Sequence, residues 1–306
     1  MARSKKYQTT TSSRWRLVFF TGVALHWKVI RLHKYTKKCI LIHKRCFMKK
    51  LTLICAALAA ALAFTGCSKS KVEINSVADL TGKKIGVQAG TTGEAWVQDS
   101  VEGAQVVSFK SGMDAALDLK NRAIDAVVLD ELPAKAIVER NPDLKIIHDS
   151  EFADNKEAYA IAVKKGNADL LSSINKTIAD MKTNGEYEAL VNAFMPADGK
   201  ITIPAAEATT GSKVVKLGTN AAFPPFEYVE GKNIVGFDIT MGQKIAKNAD
   251  MKLEVVDMAF DSLIPALQSG TIDFIAAGMS VNEERKKNVD FSETYFESEQ
   301  VIIVRK

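Results

Sequence analysis

The sequence predicts an α/β protein of two lobes, each a doubly wound, mostly parallel sheet covered by helices. Three observations carry that expectation. Short β-branched runs alternate with stretches of three- and four-residue apolar periodicity from residue 84 to 163 and again from 213 onward, the βαβ pattern of parallel sheets. Residues 196–212, rich in Ala, Thr, Gly and Pro and lacking an apolar period, separate the two series as a linker. The length of 306 residues, with 47% apolar and 25% charged residues, suits about two domains and excludes collagen-like, coiled-coil and disordered chains.

Each element has its own signal. In the first series, strand 84–88 precedes a helix at 92–101 that opens on Gly90-Thr91-Thr92-Gly93. Strand 105–109 precedes helix 112–121, with Met113, Ala116 and Leu117 on its apolar face. Strand 124–129 leads to helix 132–139, with Pro133 in the first turn, where its missing N–H costs nothing. Strands 144–148 and 159–163 complete the series. Residues 167–195 read as helical because Leu170, Leu171, Ile174, Ile178 and Met181 recur at helical steps, with a break at Asn184-Gly185. The second series comprises strand 214–218, helix 237–249 with Met241 and Ile245 on one stripe, strand 252–256 and helix 262–268 closed by Gly270. Strands 272–276 and 300–305 end it.

The formal charge of +5 averages two unlike parts. Residues 1–66 hold 14 of the 41 basic residues and no acidic one, which leaves 27 basic against all 36 acidic residues in the remainder. An acidic body argues against nucleic acid as a partner. Met48-Lys49-Lys50, an apolar run over 51–64 and Thr65-Gly66-Cys67 follow the plan of a secretory signal. The run is shorter than the roughly 20 residues that span a bilayer. Thr65-Gly66-Cys67 resembles a bacterial lipobox, with Phe64 where that motif usually has Leu, and this implies lipidation at Cys67; an ordinary cleaved signal is the other reading. Residues 1–47 read as a non-native or mis-assigned extension, 48–66 as the signal and 67–76 as a tether.

All four Cys (39, 46, 55 and 67) lie at or before the expected cut, and His148 is the only His after Cys67. Thiol catalysis, internal disulfides, His-cluster metal sites and Ser-His-Asp triads are therefore not expected in the body. No cofactor is expected.

Several segments now resemble one family. Residues 218–228 (Gly-Thr-Asn-Ala-Ala-Phe-Pro-Pro-Phe-Glu-Tyr), Gly236-Phe237-Asp238, 260–270, 277–285 and Val289-Asp290-Phe291-Ser292 resemble the first half of family 3 extracellular solute-binding proteins, the polar amino-acid receptors of ABC importers. Residues 78–93 and 124–131 resemble the second half. The likeness covers nearly all of 71–306 but in the reverse order, so it implies a two-lobed periplasmic-binding-protein-like fold of type II, circularly permuted, which folds tolerate where termini meet at the surface. The expected layout is the family's second lobe at 77–163, helices returning to the first lobe at 164–197, a linker at 198–212 and the first lobe at 213–306. The new ends are expected at the first inter-lobe crossing, leaving one covalent hinge strand (159–163) with 300–305 paired beside it. A monomer is expected, with a domain-swapped dimer as the alternative that a cut hinge permits.

A zwitterionic ligand needs a planar two-donor cation and backbone N–H groups for its carboxylate, and a buried carboxylate for its ammonium. The resemblance gives the first role to Arg285, which taken alone reads as a solvated surface residue. Thr91 and Thr92 open a helix whose N-terminus suits the same carboxylate, or simply make a turn. Asp130 ends a strand and accepts the ammonium by resemblance; taken alone it serves equally as a helix N-cap. Gly278 and Ser280 supply a carbonyl and a hydroxyl, and Phe223 and Phe260 enclose the aliphatic stem. Asn220 and Gln88 stand where relatives contact the ligand side chain, and their neutral amides lean toward a neutral polar ligand such as glutamine. No carboxylate besides Asp130 is placed in the cleft by the sequence.

The resemblance implies an extracytoplasmic, lipid-anchored component that hands a free polar amino acid to an ABC permease and ATPase complex, and no enzyme. The alternatives are a cleft enzyme of the cyclohexadienyl dehydratase type, which needs a positioned acid or base, and a sensing module not coupled to transport.

Overall fold

A computed structural model describes residues 73–306. The signal-like segment, Cys67 and the upstream extension lie outside the described residues.

The chain runs through β1 (Lys84–Gln88), α1 (Thr92–Ser100), β2 (Gln105–Phe109), α2 (Gly112–Lys120), β3 (Ala126–Asp130), α3 (Glu131–Arg140), β4 (Leu144–Ile147) and the short α4 (Ser150–Asp154). It continues with β5 (Glu157–Tyr159), β6 (Ala162–Lys164), α5 (Ala168–Asn184) and α6 (Glu186–Phe194). After an irregular stretch come β7 (Lys213–Thr219), β8 (Ala222–Phe223), β9 (Glu227–Glu230), β10 (Asn233–Val235), α7 (Phe237–Asn248) and β11 (Met251–Asp257). The last elements are α8 (Leu263–Ser269), β12 (Phe274–Ile275), α9 (Glu283–Lys286), β13 (Val289–Phe291), β14 (Phe296–Ser298) and β15 (Gln300–Arg305).

Two five-stranded sheets share one plan. The first has the order β2-β1-β3-β15-β4, and the second β11-β7-β12-β6-β13. In each, only the fourth strand runs against the others: β15 is antiparallel to β3 and β4, and β6 to β12 and β13. That odd strand is in each case the one arriving from the other half of the molecule. Both faces of the first sheet are buried, since Ile85, Val87, Val128 and Ile302 pack in one cluster while Val127, Leu129 and Ile303 pack in another. Helices on both faces explain why these strands read as continuous apolar runs.

The helices start where the sequence provides caps. Thr91 accepts a hydrogen bond from the Glu94 N–H at the head of α1, and Ser111 does the same for Asp114 at α2. The apolar face expected on α2 is corrected: Met113 and Leu117 are exposed, whereas Gly112, Ala115, Ala116 and Leu119 are buried. Small residues win because the helix lies close on β3; a Cβ at Gly112 would sit 2.6 Å from Leu129 Cδ2.

The hinge is also corrected. Segment 159–163 is not one strand but the junction of two, β5 and β6, which belong to different sheets. β5 pairs antiparallel with β14, matching Phe296 to Tyr159 and Ser298 to Glu157. The chain thus crosses between the halves twice, at 157–162 and 296–300, and both crossings are covalent. β15 is not a loose neighbour of the hinge but an internal strand of the first sheet, so residues 300–305 join the half built by 77–157. The expected boundaries at 163 and 306 shift because the antiparallel strand of each sheet comes from beyond a crossing. A cut hinge no longer argues for a domain-swapped dimer.

The stretch after α6 has no regular elements but is fastened along its length. Glu207 bonds Lys244 (3.2 Å) and Lys247 (2.6 Å) of α7, and its N–H donates to Gln243 Oε1 (3.1 Å). Thr209 Oγ1 accepts from the Leu253 N–H of β11 (3.1 Å).

Candidate functional site

The carboxyl ends of the parallel strands in both sheets converge, the position where open α/β sheets hold ligands. Gln88 ends β1 and Asp130 ends β3 on one side; Asn220 follows β7, Phe260 follows β11, and 277–280 follow β12 on the other. One cavity, closed down to about 10 Å³, is lined by Gln88, Thr91, Thr92, Asp130, Asn220, Phe223, Glu227, Phe260, Ala277, Gly278, Ser280 and Arg285. All ten residues expected at a cleft therefore lie on its wall. Their ligand roles are taken up below.

Arg285 sits in α9, whose first turn is capped by Asn282 (2.8 Å to the Arg285 N–H). Its guanidinium is not on the surface: the residue is 8% exposed. One nitrogen donates to the Ser280 carbonyl (2.7 Å) and the other to the Gly90 carbonyl (3.0 Å), which belongs to the opposite wall. The guanidinium carbon lies 5.4 Å from the centre of the Phe260 ring, a cation–π distance. Phe260 thus supports the arginine as well as lining the cavity.

Asp130 occupies the N-cap position of α3, yet its side chain caps nothing. Its Oδ1 accepts from Tyr159 Oη (2.8 Å) and Gln300 Nε2 (3.1 Å) instead. Burial, and then the charge of Glu157, raise this carboxyl above the ordinary aspartate range. A buried carboxylate short of a cation is what an ammonium group would satisfy.

The amide pair closes the cavity. Gln88 Nε2 donates to Asn220 Oδ1 (2.9 Å), and Asn220 Nδ2 donates to the Met258 carbonyl (2.8 Å). Asn220 is therefore engaged at both ends, while Gln88 Oε1 is buried without a partner. Thr91 is spent on capping α1, and its hydroxyl donates to the Gln88 carbonyl (2.7 Å). Thr92 Oγ1 and the Ser280 hydroxyl both donate to Glu157, so Ser280 faces a carboxylate here. Gly278 has φ +53°, and a Cβ there would stand 2.8 Å from the Phe223 ring, so glycine keeps that edge of the wall open.

Two acids escaped the sequence reading. Glu157, on the crossing strand β5, gathers Thr92, Ser280 and Gln300. Glu227 lines the cavity fully buried, and its carboxyl pairs through a shared proton with that of Asp238. Burial first, and Asp238 next, push it well above the ordinary glutamate range. The alternation of β9 gives no sign of this, because Val229, on the same face two residues on, is exposed. A glutamate inside the apolar sequence Pro-Pro-Phe-Glu-Tyr was the available signal.

Away from the cavity, Glu131, His148 and Glu299 each bring a possible metal ligand atom within 4.8 Å of the others. His148 Nδ1 lies 3.2 Å from Glu299, and Lys135 pairs with Glu131 at 2.7 Å, so the members of this partly exposed cluster already have partners. Among the described residues no helix is long and apolar enough to cross a membrane.

Residues 215–306 match the family described as bacterial extracellular solute-binding proteins, family 3. The arginine-binding extracellular protein ArtP of Bacillus subtilis (strain 168) is 46% identical over 97 residues, which is 32% of this chain and 38% of that protein. A probable histidine-binding protein of Neisseria gonorrhoeae is 40% identical over 103 residues, 33% of this chain and 38% of that one. The L-cystine-binding protein TcyJ of Escherichia coli (strain K12) is 34% identical over 125 residues, 41% of this chain and 46% of that one. The chain spans about two-fifths of the length of these curated relatives.

Proposed function

We propose that the chain is a family 3 solute-binding protein that takes a free α-amino acid into the cavity between its two sheets and presents it to an ABC importer. The observation that carries this reading is the facing pair: a buried arginine on one wall and a buried, cation-deficient aspartate on the other. Arg285 would fork onto the ligand carboxylate, helped by backbone N–H groups at the head of α1, and Asp130 would take the ammonium. Phe223 and Phe260 would hold the stem between them. The relatives named for arginine, histidine and cystine support an amino acid as the ligand class.

The two crossing strands β5 and β14 would act as the hinge. Closure is favoured by the ligand only through contacts made to both walls. The bonds Gln88–Asn220 and Arg285–Gly90 already span the cavity and would help hold the closed form. The segment at 48–67 supports export and lipid attachment at Cys67, with the body on the outer side of the cytoplasmic membrane. The family's two halves would stand here in reverse order, supported by a family match confined to 215–306 and by the second sheet that 77–157 and 300–305 build beside it.

Calorimetric titration of the full chain with the twenty amino acids is the test. Saturable binding is expected for at least one ligand, and Arg285→Ala and Asp130→Ala are each expected to abolish it, because each leaves a buried charge of the ligand unpaired at about 3–5 kcal/mol. Unchanged binding in both variants would overturn the assignment. Rejoining the described segments with 213–306 ahead of 73–197 is expected to give a protein of the same ligand preference; a rejoined chain that cannot fold counts against the permutation.

A further inference from the structure

We propose that a second cavity, set between α1, α4 and the crossing strand β5, binds a small organic cation through a primary ammonium or guanidinium head. The inference goes beyond the amino-acid reading and does not rest on it.

This cavity, of about 320 Å³, is lined by Trp96 of α1, Glu151 and Phe152 of α4, Asn155, Glu157 of β5 and Gln300 of β15. It shares no lining residue with the amino-acid cavity. The partition between the two is polar. Thr92 and Ser280, from the first cavity, donate to Glu157, and Asp130 accepts from Gln300 Nε2. A volume of this order belongs to small-molecule sites.

The lining selects a cation. It carries two carboxylates and no lysine or arginine among the described residues. Neither Glu151 nor Glu157 takes part in an ion pair there. Arg285 acts on Glu157 through space, but its guanidinium nitrogens bond the Ser280 and Gly90 carbonyls instead. Glu157 Oε1 accepts from Gln300 Nε2 at a long 3.3 Å, and Glu151 Oε1 accepts from the Trp96 indole N–H at 3.2 Å. Gln300 is 5% exposed, and its Oε1 is buried without a hydrogen-bond partner. Acceptors from three residues, two of them charged, suit the three N–H bonds of a primary ammonium or the fork of a guanidinium.

The aromatic wall favours the same ligand. Trp96 and Phe152 meet edge to face with ring centres 4.6 Å apart, which gives apolar surface for an alkyl stem. An indole is also the strongest aromatic partner of a cation. Exposed acids by themselves are ordinary surface. The indole and the buried, unpaired amide oxygen of Gln300 at the same cavity set this pair apart.

The test follows tryptophan fluorescence of the full chain during titration with n-butylammonium at fixed ionic strength. Tetramethylammonium, which has the charge but no N–H, and n-butanol, which has the stem but no charge, are the controls. A saturable response is expected from n-butylammonium, with both controls at least ~10-fold weaker. Trp96→Leu is expected to abolish the response, which separates it from Trp15 and Trp27. Glu151→Gln changes an exposed residue outside the amino-acid cavity and keeps the reporter; it is expected to weaken n-butylammonium at least ~5-fold. Should Trp96→Leu fail to fold, Glu151→Gln decides. A response that does not saturate, a control that binds equally well, a signal that survives in folded Trp96→Leu, or unchanged affinity in Glu151→Gln overturns the proposal. None of these outcomes touches the amino-acid reading, which stands or falls with Arg285 and Asp130.

Discussion

Asp130 and Tyr159 show how much of the cavity depends on single polar contacts. The tyrosine hydroxyl reaches Asp130 from the crossing strand, in a place where burial already disfavours the carboxylate's charge. Tyr159→Phe removes one of two donors to that oxygen and leaves the packing of the ring against Phe226 and Phe296 intact. We expect amino-acid affinity to fall about 5-fold, near 1 kcal/mol for one buried hydrogen bond, and thermal unfolding to lose a comparable energy because the bond is present without ligand. Calorimetry beside a thermal melt checks both halves; unaltered affinity would mean that Gln300 alone sustains Asp130. Asp130 was legible as a strand-end acid whose ligand role the resemblance implied, and Tyr159 was legible only as part of a strand. Glu157 and Glu227 were not, because an isolated acid in a short strand looks the same whether it faces water or a cavity.

At the scale of elements, glycines mark where backbones meet. Gly236 precedes α7 at φ +140°, and a Cβ there would stand 2.1 Å from the Phe226 carbonyl oxygen. That oxygen accepts the Asp238 N–H, so the contact holds the head of α7 against the loop that carries Phe223 and Glu227. Gly185 separates α5 from α6 at φ +84° with open space around it. Gly236→Ala is therefore expected to cost more than about 2 kcal/mol in urea unfolding, from strain plus collision, and Gly185→Ala only about 1 kcal/mol, from strain alone. Equal losses would show that the close approach at Gly236 relaxes freely. The strands and long helices were legible because their apolar periods persist; β8, β10 and β14 have two or three residues, too few for a period to register.

Across the whole molecule, buried acids make stability depend on pH in an unusual direction. Burial pushes Asp238 up to about 7, and it raises Asp130 and Glu227 as well. Between the ordinary carboxyl range and pH 7 the unfolded chain has released these protons while the folded protein keeps them. Stability is thus fully present at the acid end of that window and is lost as pH rises through it, by at most about 1.4 kcal/mol per pH unit for each carboxyl. The urea midpoint is expected to be lower at pH 7 than at pH 5, and Asp238→Asn should flatten the difference. A midpoint that climbs over this range would contradict the protonated state of the pair.

Local sequence alone determined the α/β class and the alternation of elements, since period and caps are properties of a few consecutive residues, and the residues expected around the cavity came from the resemblance of spaced segments to a family. Only the tertiary structure decided that both crossings are covalent, that Asn220 is engaged at both ends and that Glu227 lies on the cavity wall. Those outcomes depend on which strands from distant parts of the chain lie side by side, and on which buried polar atoms find a partner across a sheet, and neither is written in any short window of sequence.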